Sequence, residues 1–170
     1  MKKYELLIDD TIDVFGVTLF RIKALISFGN VAKGDLGGYI KKEDNLSHSG
    51  NAWVYGNARV YGNARVSGNA WVYGNAEVSG NAEVYGNAEV SGKAEVYGNA
   101  DYIVFKNHWS SGRYFTYTKS NKMWKVGCFY GTGQELIEKA YRDSENSGKN
   151  YEAYVKFVEK LEEINNEKHN

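Results

Sequence analysis

From Gly50 to Ile103 the chain repeats one six-residue phrase, Gly-Asn-Ala-x-Val-x, through nine hexads and 54 residues. The stretch "GNARVYGNARVSGNAWVYGNAEVSGNAEVYGNAEV" shows it without interruption. Within each hexad Ala and Val stand two positions apart, the spacing that puts two side chains on one face of a strand. Gly and Asn tolerate left-handed backbone, so Gly-Asn marks a bend. A helix carrying Gly and Asn every six residues would be penalised at each recurrence. A unit of one very short strand and one bend cannot bury an apolar face alone, but copies stacked as a solenoid can.

The phrase "VYGNARVYGNARVSGNA" resembles the hexapeptide repeat of left-handed parallel β-helices. The preceding run, "LFRIKALISFGNVAKGDLGGYIKKEDNLSHSGNAWVYGNA", resembles a bacterial and prophage-encoded family of unassigned function, often labelled acyltransferase. The resemblance covers about residues 18–103. It implies a left-handed crossover, three hexads to an 18-residue coil, and a homotrimer with threefold symmetry. The expected fold is therefore mainly β: a left-handed parallel β-helix of about three coils over 50–103. An N-terminal cap region is expected over 1–49 and a C-terminal ββαα unit over 104–170.

With 18 residues to a coil, outward side chains 18 apart stack at about 4.8 Å. One stack reads Trp53, Trp71, Glu89, a second Arg59, Glu77, Glu95, and a third Arg65, Glu83, Asp101. The position after each Val adds Tyr55 and Tyr73 beside the tryptophans. Trp53, Tyr55, Trp71 and Tyr73, flanked by Arg59 and Arg65, form a candidate subunit interface, because aromatic residues dominate interface hot spots. Ordinary aromatic packing on a sheet face is the plainer reading. Arg above Glu is equally consistent with cross-strand pairs of small worth.

From Val104 to Gly133 there are no acids, five bases and eight aromatics. "GRYFTYTKSNKMWKVGCFYG" reads as two strands around a Ser120-Asn121 turn. Arg113, Phe115, Tyr117, Lys119, Lys122, Trp124 and Lys125 are the candidate ligand-binding set, since cations among aromatics suit an anionic nucleotide by charge and stacking. The competing expectation is that the aromatics pack on the helices that follow while the lysines keep the sheet soluble. Thr132 with Glu135 makes a capping box for the first helix. That helix is expected to end at Ser147-Gly148, and a second to start near Asn150. Residues 134–170 hold nine acids and six bases.

Catalysis is not expected. Hexapeptide acyltransferases employ a histidine base near a subunit interface, often with a loop inserted between coils. Here the nine hexads run unbroken, and only His48, His108 and His169 are available. No spacing suits a metal or a cofactor, and the single Cys128 reads as structural. Lys plus Arg equals Asp plus Glu at 21 each, so bulk nucleic-acid binding is not expected either. With no apolar run of membrane length and no leader-like start, the expected location is the bacterial cytoplasm. The function expected from these features and from the resemblance is that of a non-enzymatic phage or prophage accessory binding protein. It would present its C-terminal unit to a host protein or a nucleotide signal and so counter host immunity. A structural spacer or virion component, and a hexapeptide-type acyltransferase, are the alternatives.

Overall fold

The computed structural model describes residues 1–169 as a parallel β-solenoid of about three turns, closed at each end by a different structure. Strands β1 (Tyr4–Val14) and β2 (Val17–Ala24) form a hairpin, turned at Phe15 and Gly16 with φ of 50° and 79°. Two successive positive φ values give the turn a twist that matches the strands. Strand β3 (Leu36–Ile40) pairs antiparallel with β2 and parallel with the solenoid. Eight two-residue strands follow: β4 (Trp53–Val54), β5 (Arg59–Val60), β6 (Arg65–Val66), β7 (Trp71–Val72), β8 (Glu77–Val78), β9 (Glu83–Val84), β10 (Glu89–Val90) and β11 (Glu95–Val96).

Two of the stacks expected at 18-residue spacing are present in full, and the third lacks Asp101, which lies in a 3-10 turn. Trp71 lies between Trp53 and Glu89, Glu77 between Arg59 and Glu95, and Arg65 beside Glu83. The repeat's valines and alanines from Ala52 to Val96 are wholly buried and fill the interior. Each valine contributes roughly 1.5–3 kcal/mol relative to exposure. Corner asparagines touch their copies one coil away, as in Asn63 Nδ2 to Asn81 Oδ1 at 3.3 Å. Glycine is required at the bends. Gly68 has a φ of +66°, and a Cβ there would lie 3.0 Å from the backbone nitrogen of Gly86.

Two boundaries differ from expectation. Stacking begins before Gly50, since Tyr39 and Ile40 pair with Arg59 and Val60, and Leu46 bridges to Val66. The N-terminal region therefore supplies part of a coil as well as a cap. At the other end the ninth hexad leaves the solenoid. Its Asn99–Asp101 segment winds into a 3-10 turn, and Tyr102–Lys106 becomes β12 of another sheet.

The C-terminal unit has four strands where two were expected. Strands β12, β13 (Tyr114–Thr118), β14 (Met123–Val126) and β15 (Phe129–Gly131) form an antiparallel meander. The extra pairings come from the apolar run Ile103–Phe105 at one edge and a tight Gly127-Cys128 turn at the other. Helix α1 (Gly133–Asp143) starts at the expected capping box, and α2 (Glu145–Glu167) follows after the single residue Ser144. Ser144 accordingly replaces the expected break at Ser147-Gly148. It is extended, its N–H closes α1 on the Ala140 carbonyl, and its hydroxyl accepts from Ser147 N to open α2. Gly148 sits inside α2 because the Tyr141 ring packs on it, leaving no room for a Cβ. No helix among the described residues is long and apolar enough to cross a membrane.

Candidate functional site

The aromatic face of the solenoid (β4, β7, β10) is divided by burial. Trp53 is 2% exposed, enclosed by Tyr4 from β1 and by Phe28. It belongs to the core and is not available to a subunit interface. Tyr55, Trp71 and Tyr73 stay half-exposed. The Tyr55 and Tyr73 rings stack with centroids 4.9 Å apart and 9° between planes, and Trp71 meets Tyr55 edge-on at 5.3 Å. Of the flanking arginines, Arg59 pairs with Glu77 at 3.0 Å. Arg65 is exposed on the third face, away from the aromatics.

The C-terminal sheet lies across the last coil. Thr116 Oγ1 accepts from Glu89 N at 3.0 Å, and Ser120 Oγ from Glu95 N at 2.8 Å. This docking leaves an open cleft of about 590 Å³ on the aromatic side. One wall carries Tyr55, Trp71, Tyr73, Glu89 and the corner amides of Asn51, Asn69 and Asn87. The facing lip carries Arg113, Tyr114 and Gly127, and Gly29 and Asn30 close the far end. The volume is within the range of small-molecule sites.

The candidate ligand-binding set of the C-terminal unit separates into three groups. Phe115, Tyr117 and Trp124 are buried beneath α1 and α2 with Leu136, Ala140, Tyr151, Val155 and Val158. None of these three rings is open to stack on a ligand. Their burial is the competing expectation, aromatics packed against helices, and follows from alternation along β13 and β14. Lys119 and Lys122 lie at the β13–β14 turn, outside the cleft. Arg113 lines the cleft, and Lys125 Nζ sits 5.9 Å from the centroid of Tyr73 while donating to the Gly127 carbonyl. The structure thus brings one cation from the second candidate set, with another close behind it, to three aromatics from the first.

Charge in the cleft is unevenly satisfied. Arg113, exposed on the lip, has no ion-pair partner among the described residues, as is also true of Arg65 and Arg142, whereas Arg21 and Arg59, both outside the cleft, have carboxylates at 2.9 and 3.0 Å. Its guanidinium rests against Gly127, where a Cβ would meet Nη1 at 2.8 Å. Glu89 Oε2 accepts from the Tyr73 hydroxyl at 3.2 Å. Burial, then the Glu89 charge, pushes the Tyr73 hydroxyl well above its ordinary pKa, so it stays protonated and donating. Glu89 had a sequence signal, being the one charge on the tryptophan stack. Tyr114, Gly127, Gly29 and Asn30 had none, because their place depends on how two remote segments dock.

His48 and His108 each contact a tyrosine of the framework. His48 stacks on Tyr4 at 4.3 Å, and its Nδ1 accepts from Lys3 N at 3.2 Å. His108 lies 3.3 Å from the Tyr154 hydroxyl. Neither lines the cleft. Cys128, expected to be structural, is exposed at the β14–β15 turn. Among the described residues no group of three or more His, Cys, Asp or Glu side chains is placed to hold a metal ion.

No curated protein matches the chain. A family model described as the YdcK beta solenoid repeat matches residues 58–74, which run from Ala58 just before β5 through β7 to Gly74 and include Trp71 and Tyr73 of the cleft wall.

Proposed function

We propose that the protein is a non-enzymatic binding protein whose solenoid is a rigid scaffold and whose junction cleft takes a small anionic ligand of the nucleotide class. One observation carries the reading: Arg113, without a carboxylate partner among the described residues, faces a wall of half-exposed aromatic rings. A guanidinium fork matches a phosphate in shape and charge. Aromatic side chains stack on the face of any base. In the wider reading the protein is a phage or prophage accessory factor that withdraws a nucleotide signal from host immunity. That step rests on the resemblance of residues 18–103 together with this cleft.

The test is calorimetry of the full chain with linear and cyclic nucleotides. The expected result is saturable binding that weakens at least tenfold in Arg113→Ala and in Trp71→Ala. No nucleotide binding below about 1 mM, the level of a very weak complex, would end the proposal. Trp124→Ala is unsuitable as a probe, because Trp124 is core. A second reading concerns self-association. The face bearing Arg65, Glu83 and Tyr85 is left exposed, with Tyr85 58% exposed, and is the wall on which further copies would build a homotrimer. Native mass decides this independently of ligand.

A further inference from the structure

The cleft has an order along the solenoid axis. Tyr55 belongs to the first coil, Trp71 and Tyr73 to the second, and Glu89 to the third, since Trp71 pairs with Glu89 one coil further on. Arg113 follows beyond the last coil, on the sheet that covers it. Successive coils are about 4.8 Å apart. A ligand lying along the wall therefore meets aromatic rings, then a carboxylate, then a guanidinium. The carboxylate and the guanidinium do not pair with each other within ion-pair distance. Glu89 Oε2 is held by the Tyr73 hydroxyl, and among the described residues no side chain donates a hydrogen bond to its other oxygen.

A ribonucleotide presents the same order: a stacking base, a pair of sugar hydroxyl donors, and an anionic phosphate. A carboxylate is acceptor-only and takes hydroxyl donors well. An acidic side chain that reads a ribose hydroxyl beside a phosphate site is an established solution in dinucleotide-binding folds of unrelated architecture. A carboxylate so near a phosphate would repel it, and the Tyr73 hydroxyl occupies only one of the carboxylate oxygens, so a hydroxyl donor between base and phosphate offsets that repulsion at Glu89.

Resting on the nucleotide reading above, we infer that Glu89 is the specificity residue that selects ribonucleotides over deoxyribonucleotides, by accepting from the ribose hydroxyls while Arg113 holds the phosphate. The base is not selected by this arrangement, because stacking on Tyr55 and Trp71 is tolerant of base identity.

The experiment titrates the full chain with ribonucleoside monophosphates of all four bases and with their 2′-deoxy and 3′-deoxy counterparts. A hydrogen bond to a charged acceptor implies that loss of the hydroxyl it reads weakens binding roughly 10–100-fold. In Glu89→Ala, which leaves no side-chain acceptor, the gap between ribo and deoxy ligands should shrink to less than about threefold, and the deoxy ligands should bind no worse than to wild type. Equal affinity of wild type for ribo and deoxy ligands would overturn the inference while leaving the nucleotide reading intact. A gap that persists in Glu89→Ala would overturn Glu89 as its cause. Absence of binding by every nucleotide would remove both. The wild-type comparison needs no variant, so it holds even if Glu89→Ala folds poorly.

Discussion

The two ends of the solenoid pose opposite chemical problems. Along the stack, backbone N–H groups of one coil donate to carbonyls of the next, as in Trp53 N to Ala70 O and Trp71 N to Ala88 O. The first coil is therefore left with carbonyls to satisfy and the last with N–H groups. At the first end the caps are donors. The Lys3 ammonium reaches Ala52 O at 2.8 Å and Gly50 O at 3.4 Å, and Asn45 Nδ2 reaches Ala64 O at 2.7 Å and Gly62 O at 3.3 Å. On the remaining face β3 supplies backbone partners, as in Tyr39 N to Ala58 O. At the last end the caps are acceptors, one on each face. Asn99 Oδ1 takes Glu83 N, Thr116 Oγ1 takes Glu89 N, and Ser120 Oγ takes Glu95 N. An open sheet end is a template for further copies. Here side chains of matched polarity seal both ends. The difference lies in burial: Lys3 and Asn45 are almost wholly buried, whereas Asn99 and Ser120 are solvent-accessible. Water can replace Asn99 and Ser120 at the last end, where only Thr116 is buried, but neither side-chain cap at the first, so the first end should be the more sensitive to substitution.

The largest effect is expected at Asn45. Asn45→Ala removes the donor for two carbonyls and the acceptor of Lys42 N, which is bound at 3.0 Å. Buried groups left without partners cost about 1–3 kcal/mol each, so a loss of about 3–4 kcal/mol is expected. Urea unfolding measures it, and a loss under about 1 kcal/mol would show that the first end is not sealed by side chains.

The second effect depends on pH. Burial lowers the Lys3 pKa from 10.5 to about 8. Between about pH 8 and 10.5 the unfolded chain holds a proton that the folded chain has released, so stability rises with pH through that window. Below it both states are protonated and this slope vanishes. Tyr61 opposes the trend above pH 10, because its hydroxyl is pushed up to about 12 by burial and by Glu77. Maximum stability is expected near the crossing of the two windows. Wild type should gain on Lys3→Met by about 2–3 kcal/mol from pH 7.5 to 10. A flat difference would mean that Lys3 is solvated.

What could be read from the sequence divides along the same line. The register of the coils was legible, because Gly, Ala and Val recur at fixed spacing and Trp53, Trp71 and Glu89 must then align. The caps were not, since each joins residues far apart in sequence: Lys3 to Ala52, Thr116 to Glu89. Trp53 was misplaced for that reason. Its own hexad is identical in kind to that of Trp71, and only Tyr4 and Phe28, arriving from the N-terminal region, bury the first and spare the second. The cleft was half legible. Both its aromatics and its cation were marked as candidates, but as two separate sites, because nothing local tells Arg113 that it will face Trp71. Alternation along β13 did show that Phe115 and Tyr117 share a face. It could not show that helices cover that face.

At the last end a smaller loss is expected at Thr116. Its hydroxyl is 1% exposed as part of a buried residue, so Thr116→Val leaves Glu89 N without a partner in partly shielded surroundings. About 1–2 kcal/mol should be lost. Because Glu89 belongs to the cleft wall, amide exchange at Glu89 should also quicken more than at Val72 in the middle coil.

The smallest effect is expected at Ser120, and it is the sharpest test of the comparison. Ser120 makes the same chemical contact as Thr116, a hydroxyl oxygen on the N–H of a terminal strand, 2.8 Å long at Glu95 N. The contact is shorter than that of Thr116 at 3.0 Å, so distance alone would rank Ser120 as the stronger cap. Exposure ranks it the other way. Glu95 is open to solvent, and water can take the place of the hydroxyl once Ser120 becomes Ala. A net loss of at most about 0.5 kcal/mol follows from exchanging one hydrogen bond for another. If Ser120→Ala costs as much as Thr116→Val in the same urea titration, the last end is sealed by geometry as strictly as the first. If it costs nothing measurable, burial decides which caps matter, and Lys3 and Asn45 carry the closure of the solenoid.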